Sequence, residues 1–402
     1  MSGVDGVIRP AKRIASVKYA VRDILIVAEE ARRAGREMLY LNVGDPNIFD
    51  FETPAPIVEA ICRALHDNRN GYAPSDGIAP ALEAIRADAA RKSIGSIQEI
   101  FVASGCSEGI EIALAALCDP GDDVLTPSPG YPLYTALVAK LGLEPNAYFL
   151  DEGQGWQPDV ADIESRIGPR TRAIVVINPN NPTGSVAERR TLEAIVELAR
   201  RRGLLVIADE IYNELTLDGA VHVPLASIDP GASVLTFDGL SKGYLGPGLR
   251  IGWGILSGHP EAVGDYRKAI QQLCRARLSA NHPEQYAIAA ALGDRSHLPG
   301  LVKKLTRRRD LTVERLNAVP GMSCVAPRGA FYAFPRLEID PATEERFIAD
   351  LVRETGVVVV HGGGFGQRPG TAHFRVVFLP PEPILEKAYA RIGDFVRSRL
   401  GR

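Results

Sequence analysis

Little in this sequence points to a membrane, a nucleic acid or a metal. Its 402 residues carry 46 Lys and Arg against 49 Asp and Glu, a net charge of −3. No basic field invites nucleic acid, and no acidic tail invites cations. Long apolar runs are missing too: the uncharged stretches at 173–177 and 287–292 fall far short of the ~20 residues a membrane-spanning helix needs. The N-terminal stretch carries charges at Asp5, Arg9, Lys12, Arg13 and Lys18 and no apolar segment of signal-peptide kind. Cysteine is sparse. The five present (Cys62, Cys106, Cys118, Cys274, Cys324) form no C-x-x-C pair and have no histidine at zinc spacing. Repeats and low-complexity segments are absent. The expectation is a reduced, cytoplasmic, soluble chain of enzyme size that binds neither nucleic acid, membrane nor metal.

What is there instead is a βα alternation from about residue 97 onward. Residues 100–104, 122–126, 172–177, 204–208 and 234–237 read as short buried strands, and 109–117 and 187–202 as helices between them. Strands buried on both faces read as continuous apolar runs, so this alternation predicts a mainly parallel sheet covered by helices on both sides, a three-layer α/β/α domain. The last hundred residues differ. Strands at 324–326, 329–334, 356–360 and 373–379, with helices at 342–354 and 384–399, predict a smaller α/β domain with its own sheet. The stretch up to Asp50 has no partner of its own and is expected to pack with that domain. The division expected is residues 52–290 for the large, cofactor-binding domain, and 1–51 with 291–402 for the small one.

In open α/β sheets, ligands bind beyond the carboxyl ends of the strands. One strand here is followed by Asn178-Pro179-Asn180-Asn181-Pro182-Thr183-Gly184, the next by Asp209-Glu210-Ile211-Tyr212, and a third by Gly239-Leu240-Ser241-Lys242 and then Gly246 to Gly252 with Arg250. A fourth runs into Gly105-Cys106-Ser107-Glu108, which opens a helix. An amide, a carboxylate with a phenol, a lysine with an arginine, and a phosphate-sized helix N-terminus are what pyridoxal 5′-phosphate needs. Its aldehyde takes a lysine as a Schiff base, and a carboxylate keeps its ring nitrogen protonated so that the ring accepts electrons. Backbone N–H groups at a helix start, with a fixed cation, suit its phosphate.

The runs 178–184, 209–212 and 241–252 resemble the fold-type I, class I/II aminotransferases, which are pyridoxal phosphate enzymes, and the likeness covers nearly the whole chain. Within that family the chain is most similar to the alanine (glutamate–pyruvate) aminotransferase group. The marks are Ser16-Val17-Lys18-Tyr19-Ala20-Val21-Arg22-Asp23, Leu41-Asn42-Val43-Gly44-Asp45-Pro46, and Arg277-Leu278-Ser279-Ala280-Asn281-His282-Pro283. The resemblance implies that Lys242 binds the cofactor and moves a proton at the substrate Cα, while Asp209 pairs with the ring nitrogen. It implies that Asn181 and Tyr212 bond the phenolic oxygen and that Tyr131 stacks on the ring. Arg250, Ser241, Ser107 and the N–H groups of Gly105 and Cys106 would hold the phosphate, joined by Tyr72 from the partner subunit of a homodimer. Arg375 would fork onto the substrate α-carboxylate. Gly44 would bring its backbone against that carboxylate, where a Cβ would collide. Tyr19 and Arg22 match positions at the substrate end of the pocket. Two positions depart from the pattern: Gly239 stands where many relatives carry a phosphate-binding serine, and Arg277 lies about one residue off the register of an arginine that binds a second carboxylate in dicarboxylate-specific relatives.

Each residue has a plainer reading. Lys242 alone is a solvated surface charge, Asp209 a helix cap, Asn181 a turn former, and Tyr131 and Tyr72 core fillers. Arg375 lies mid-strand among Phe374, Val376, Val377 and Phe378, where an unpaired charge is costly. The loop Gly362-Gly363-Gly364-Phe365-Gly366 reads as a turn near the pocket mouth. Rival chemistries exist. Gly105-Cys106-Ser107-Glu108-Gly109 is a formal G-x-S-x-G match, which with Asp209 and His361 or His373 would make a serine hydrolase. That reading leaves Lys242, Arg250 and the 178–184 turn without a task. No glycine pair completes the G-x-G-x-x-G of a nicotinamide-binding enzyme. Within the family, an aspartate, aromatic or branched-chain aminotransferase or a C–S lyase stays open. Alanine, glutamate, pyruvate and 2-oxoglutarate are the substrates expected.

Overall fold

The computed structural model of the chain describes residues 8–17 and 20–401. A two-residue strand, Leu39–Tyr40 (β1), precedes the central sheet. That sheet has eight strands: Ile97–Ala103 (β2), Asp123–Ser128 (β3), Glu144–Asp151 (β4), Gln157–Pro158 (β5), Thr171–Ile177 (β6), Leu205–Asp209 (β7), Val234–Gly239 (β8) and Gly252–Ser257 (β9). They lie in the order β2-β9-β8-β7-β6-β3-β4-β5. Neighbours from β8 through β4 run parallel, while β9 runs antiparallel to both β2 and β8. Side chains alternate across a strand. Along β6, Ala173, Val175 and Ile177 enter one buried cluster with helix residues Ile110, Leu137 and Ile270. Ile174 and Val176 enter the other, with Leu192, Ile195 and Ile288. Helices therefore cover both faces, and the α/β three-layer architecture expected is the one observed.

Local chemistry explains the helices. The segment Arg189–Arg202 is rich in arginine, yet Leu192, Ile195, Val196, Leu198 and Ala199 fall on one face and are buried. Burying each of the four larger side chains is worth about 1.5–3 kcal/mol, which outweighs the helix's polar composition. It stops at Gly203, whose φ of +66° suits the left-handed cap.

Two expectations change. Strands β4, β5 and β9 lie outside the strands expected from the sequence; in β9, Gly252 and Gly254 break up the apolar run around Trp253, Ile255 and Leu256. Its glycines are used for packing: a Cβ on Gly254 would stand 2.5 Å from the Phe101 ring. The smaller sheet is not one sheet but three pieces. Tyr332–Ala333 (β11), Val360–His361 (β14) and Phe374–Val377 (β15) form one in the order β11-β15-β14; Met322–Ser323 (β10) pairs with Arg336–Leu337 (β12), and β1 pairs with Val357–Val358 (β13). Residues 324–326 are not a strand. Cys324 gives its N–H to Asn317 Oδ1 (2.7 Å) and its carbonyl accepts from Asn317 Nδ2 (3.2 Å), so a side-chain amide replaces the ladder. The N-terminal segment hydrogen-bonds to the C-terminal elements, with Leu39 N–H to Gly356 O (2.8 Å) and Val377 N–H to Leu41 O (2.9 Å). This brings Asn42–Asp45 beside β15.

Candidate active site

A cavity of about 530 Å³ opens at the carboxyl ends of β6, β7 and β8, beside the start of the helix Cys106–Leu117. Cys106, Ser107, Tyr131, Asn181, Asp209, Tyr212, Ser241, Lys242 and Arg250 line it from the large sheet's side, and Gly44, Arg22 and Arg375 from the other. Gly105 caps that helix directly behind. Arg22 is exposed at the mouth. Tyr72 is not brought in: it is 84% exposed and lies outside the cavity lining of this chain. Tyr19 lies outside the described residues.

Lys242 follows β8, and its Nζ donates to the Gly44 carbonyl at 2.8 Å. Burial lowers its basicity to a pKa of about 8; the Arg375 and Arg250 guanidinium groups push the same way, and Asp45 opposes. Asp209 ends β7, buried, accepting from the Tyr134 hydroxyl at 3.2 Å. Burial raises its carboxyl to about 6, with the Ile211 N–H and Tyr134 holding it back. The cavity thus presents a carboxylate that gains from an added N–H⁺ partner and an amine that is easily neutralised.

Arg375 comes from β15. Its Nη1 donates to Asn181 Oδ1 at 3.0 Å and its Nη2 to the Asn42 carbonyl. Its Cζ lies 4.7 Å from the Tyr332 ring centre and 4.6 Å from that of Phe365. Because the Asn181 oxygen is committed to Arg375, its amide N–H groups are the end that can serve a ligand. A Cβ on Gly44 would stand 2.1 Å from the Tyr332 hydroxyl. A neighbouring side chain, within this chain, excludes it.

At the other end, no side chain caps the first turn of the helix Cys106–Leu117. Arg250 (φ +52°) reaches over it, with Nη1 donating to Pro247 O at 3.1 Å. A Cβ on Gly105 (φ +80°) would lie 2.4 Å from Arg250 Nη2, and one on Gly252 would lie 2.5 Å from the Cys106 nitrogen. Both glycines keep the cradle open. At Gly239 a Cβ would come within 2.7 Å of the Ile251 carbonyl, so a serine has no room there, whereas Ser241 lines the cavity. Arg277 is turned to Glu108 (3.0 Å) and to the carbonyls of Ser75 (3.1 Å) and Val102 (2.6 Å), outside the cavity lining.

The hydrolase constellation does not assemble. His373 stacks on Phe334 (4.9 Å between ring centres) and bonds Gln367 and Glu152, and His361 faces Glu344; neither lines the cavity with Ser107. Sequence reasoning missed Tyr134 and Tyr332, which carry no motif, and gave Phe365 only as part of a turn.

The opposition of a buried carboxylate and an uncapped helix start with an arginine defines a site for a planar, cationic, phosphate-bearing ring, with a lysine between the two ends. The comparisons agree. The model of the family "Aminotransferase class I and II" matches residues 36–392. An alanine aminotransferase of Mycobacterium tuberculosis is 43% identical over 90% of this chain and 86% of its own length. The glutamate–pyruvate aminotransferase AlaA of Escherichia coli is 35% identical over 97% of this chain and 98% of its own. The solved structure of an alanine aminotransferase from Pyrococcus furiosus superposes with a TM-score of 0.93 at 40% identity, covering 97% of this chain and 100% of that one. The chain belongs to the class I and II aminotransferases, and pyridoxal 5′-phosphate is its cofactor. The residues present fit that group: the uncapped helix start with its open glycine backbone beside Arg250 suits a phosphate, and the buried Asp209 carboxylate suits a protonated ring nitrogen. Among the described residues, no cluster suits a metal ion and no helix is long and apolar enough to cross a membrane.

Proposed function

We propose that this enzyme moves an amino group between L-alanine or L-glutamate and pyruvate or 2-oxoglutarate. The carrying observation is the pairing of an amine of lowered basicity, Lys242, with a guanidinium held rigidly by Asn181, Asn42 and two aromatic rings, Arg375, across one cavity. Relatives named as alanine and glutamate–pyruvate aminotransferases support the substrate pair. The cofactor, when bound, supplies an electron-withdrawing ring that makes the substrate Cα–H acidic. Asp209 holds the proton on the ring nitrogen. Asn181 and Tyr212 donate to the phenolic oxygen, and Tyr131 covers a ring face. Arg250, Ser107, Ser241 and the N–H groups of Gly105 and Cys106 hold the phosphate. Lys242 would hold the cofactor through Nζ, and its amine, when free and partly neutral, would take the substrate Cα proton. Arg375 forks onto the α-carboxylate.

Of the guanidinium groups lining the cavity, Arg250 sits at the phosphate end and Arg375 at the carboxylate end. Arg22, at the mouth, is left to meet the second carboxylate of glutamate. The working unit is a cytoplasmic homodimer in which Tyr72 completes the neighbouring subunit's phosphate site; its exposure on a loop that His282 anchors through Gly71 O (2.8 Å) supports this. Residues 52–290 make the cofactor-binding domain, and 1–51 with 291–402 the smaller one.

The test is a half-reaction panel read from the cofactor's absorption. Alanine and glutamate should convert the wild type faster than aspartate, phenylalanine or leucine. Lys242→Ala should lose both turnover and the borohydride-fixed adduct. Normal turnover in that variant would refute the assignment, and a preference for aspartate would refute the substrate pair.

A further inference from the structure

Tyr332 has no part in the roles above, yet it touches the holders of three of them. It lies in β11 opposite Val377 of β15, two residues beyond Arg375, and is 2% exposed. Its hydroxyl is 2.9 Å from that of Tyr212, whose ring it meets edge-on at 5.7 Å and 86°. Its ring face carries the Arg375 guanidinium at 4.7 Å, with Phe365 on the arginine's other side. Its hydroxyl also occupies the space that any side chain at Gly44 would need, and the Gly44 carbonyl is what the Lys242 amine bonds to.

We infer that Tyr332 is a positioning residue that ties the phenol donor Tyr212 to the carboxylate holder Arg375. The inference rests on the aminotransferase reading above. Two hydroxyls in contact share one hydrogen bond, so one must donate and the other accept. Tyr212 has a single O–H. To donate that proton to a ligand oxygen in the cavity, it must accept from Tyr332. Donation from Tyr332 polarises Tyr212 and strengthens the bond it makes onward, and it also fixes the Tyr212 ring against rotation. The ring of Tyr332 does separate work. A guanidinium between two aromatic faces keeps its plane, and a fork-shaped contact to a carboxylate depends on that plane.

The two parts of one side chain can be removed separately. Tyr332→Phe keeps the ring and deletes the hydroxyl. It should leave the KM for alanine within about twofold, because the cation–ring contact under Arg375 survives. Its kcat should fall. The pH midpoint at which the bound cofactor's visible absorption titrates should move upward by a few tenths of a unit, because Tyr212 loses the donor that strengthens its own bond onward. Tyr332→Leu deletes the ring as well and should raise the KM for alanine at least about tenfold. A merely structural tyrosine would lower thermal stability in both variants without moving the midpoint or separating KM from kcat. If wild type binds pyridoxal phosphate normally and Tyr332→Phe matches it in midpoint and kcat, this inference is overturned alone. A wild type that takes up no pyridoxal phosphate overturns the aminotransferase reading, and this inference with it.

Discussion

Beneath the cofactor site, Lys92 is the cation on which a buried carboxylate depends. Its Nζ lies 2.9 Å from Asp238 Oδ2 and 2.9 Å from Asp88 Oδ2, with its side chain only 13% exposed. Asp88 has other partners, Arg91 at 2.8 Å and Arg295. Asp238 is 4% exposed and otherwise accepts the Gly239 N–H at 2.7 Å. Replacing Lys92 by Met keeps most of the volume and leaves the Asp238 charge buried without its cation. Breaking such a pair costs about 3–5 kcal/mol. With an unfolding entropy of ~2.1 cal/mol/K per residue over 402 residues, that corresponds to a melting temperature about 4–6 °C lower. The pH dependence has a definite sign. Burial already raises the Asp238 carboxyl above its ordinary value even with Lys92 present. Removing the cation raises it further, so the variant's folded state binds a proton that the unfolded state releases. The deficit is full at pH 8 and shrinks toward pH 5 as Asp238 protonates. Urea unfolding at both pH values measures it, and Lys92→Met/Asp238→Asn should recover most of the loss. An equal loss at both pH values, or a double variant no more stable than the single one, would refute the reasoning. The effect should also reach the site, because Asp238 precedes Gly239 and its carbonyl accepts from Cys106 Sγ at 3.2 Å.

Three further outcomes follow from the geometry. In the cofactor-free chain, amine-selective labelling of Lys242 should rise with a midpoint near pH 8, where about one amine in ten is neutral at pH 7 against about one in three thousand for an ordinary lysine; a midpoint near 10.5 contradicts it. Arg375→Lys replaces a fork with a point charge, so the KM for alanine should climb about 10- to 100-fold, and an unchanged KM would remove Arg375 from carboxylate binding. Gly239→Ser should cost about 1–3 kcal/mol in urea unfolding, since its Cβ would meet the Ile251 carbonyl at 2.7 Å. Tighter cofactor binding at unchanged stability would show that the serine fits after all.

The motif residues were legible because their chemistry is local. Asn178–Gly184, Asp209 and Lys242 each sit at the end of an apolar run, and a run that ends in a polar group reveals both the strand and the site beyond it. Arg375 could be suspected because a charge amid Phe374, Val376 and Val377 needs a partner. Strand β9 was not legible: its glycines make room for Phe101, and that ring's position is not written near residue 254. Nor was the loss of a strand at 324–326, decided by Asn317, whose amide replaces the ladder.

From the chain's residue order alone came the layered architecture, the strand-end donors and the chemical class. Periodicity and residue type act over a few positions, and the apolar runs dominate folding energetics. Only the tertiary structure decided which groups meet: that Arg375 lies between Tyr332 and Phe365, that Arg277 turns away to Glu108, that Gly44 yields to a hydroxyl from β11, and that Lys242 reaches the Gly44 carbonyl. Each joins segments far apart in the chain. The two Gly44 contacts depend on how the N-terminal segment docks onto β13 and β15, the other two on how distant helices and strands pack, and no local pattern encodes either.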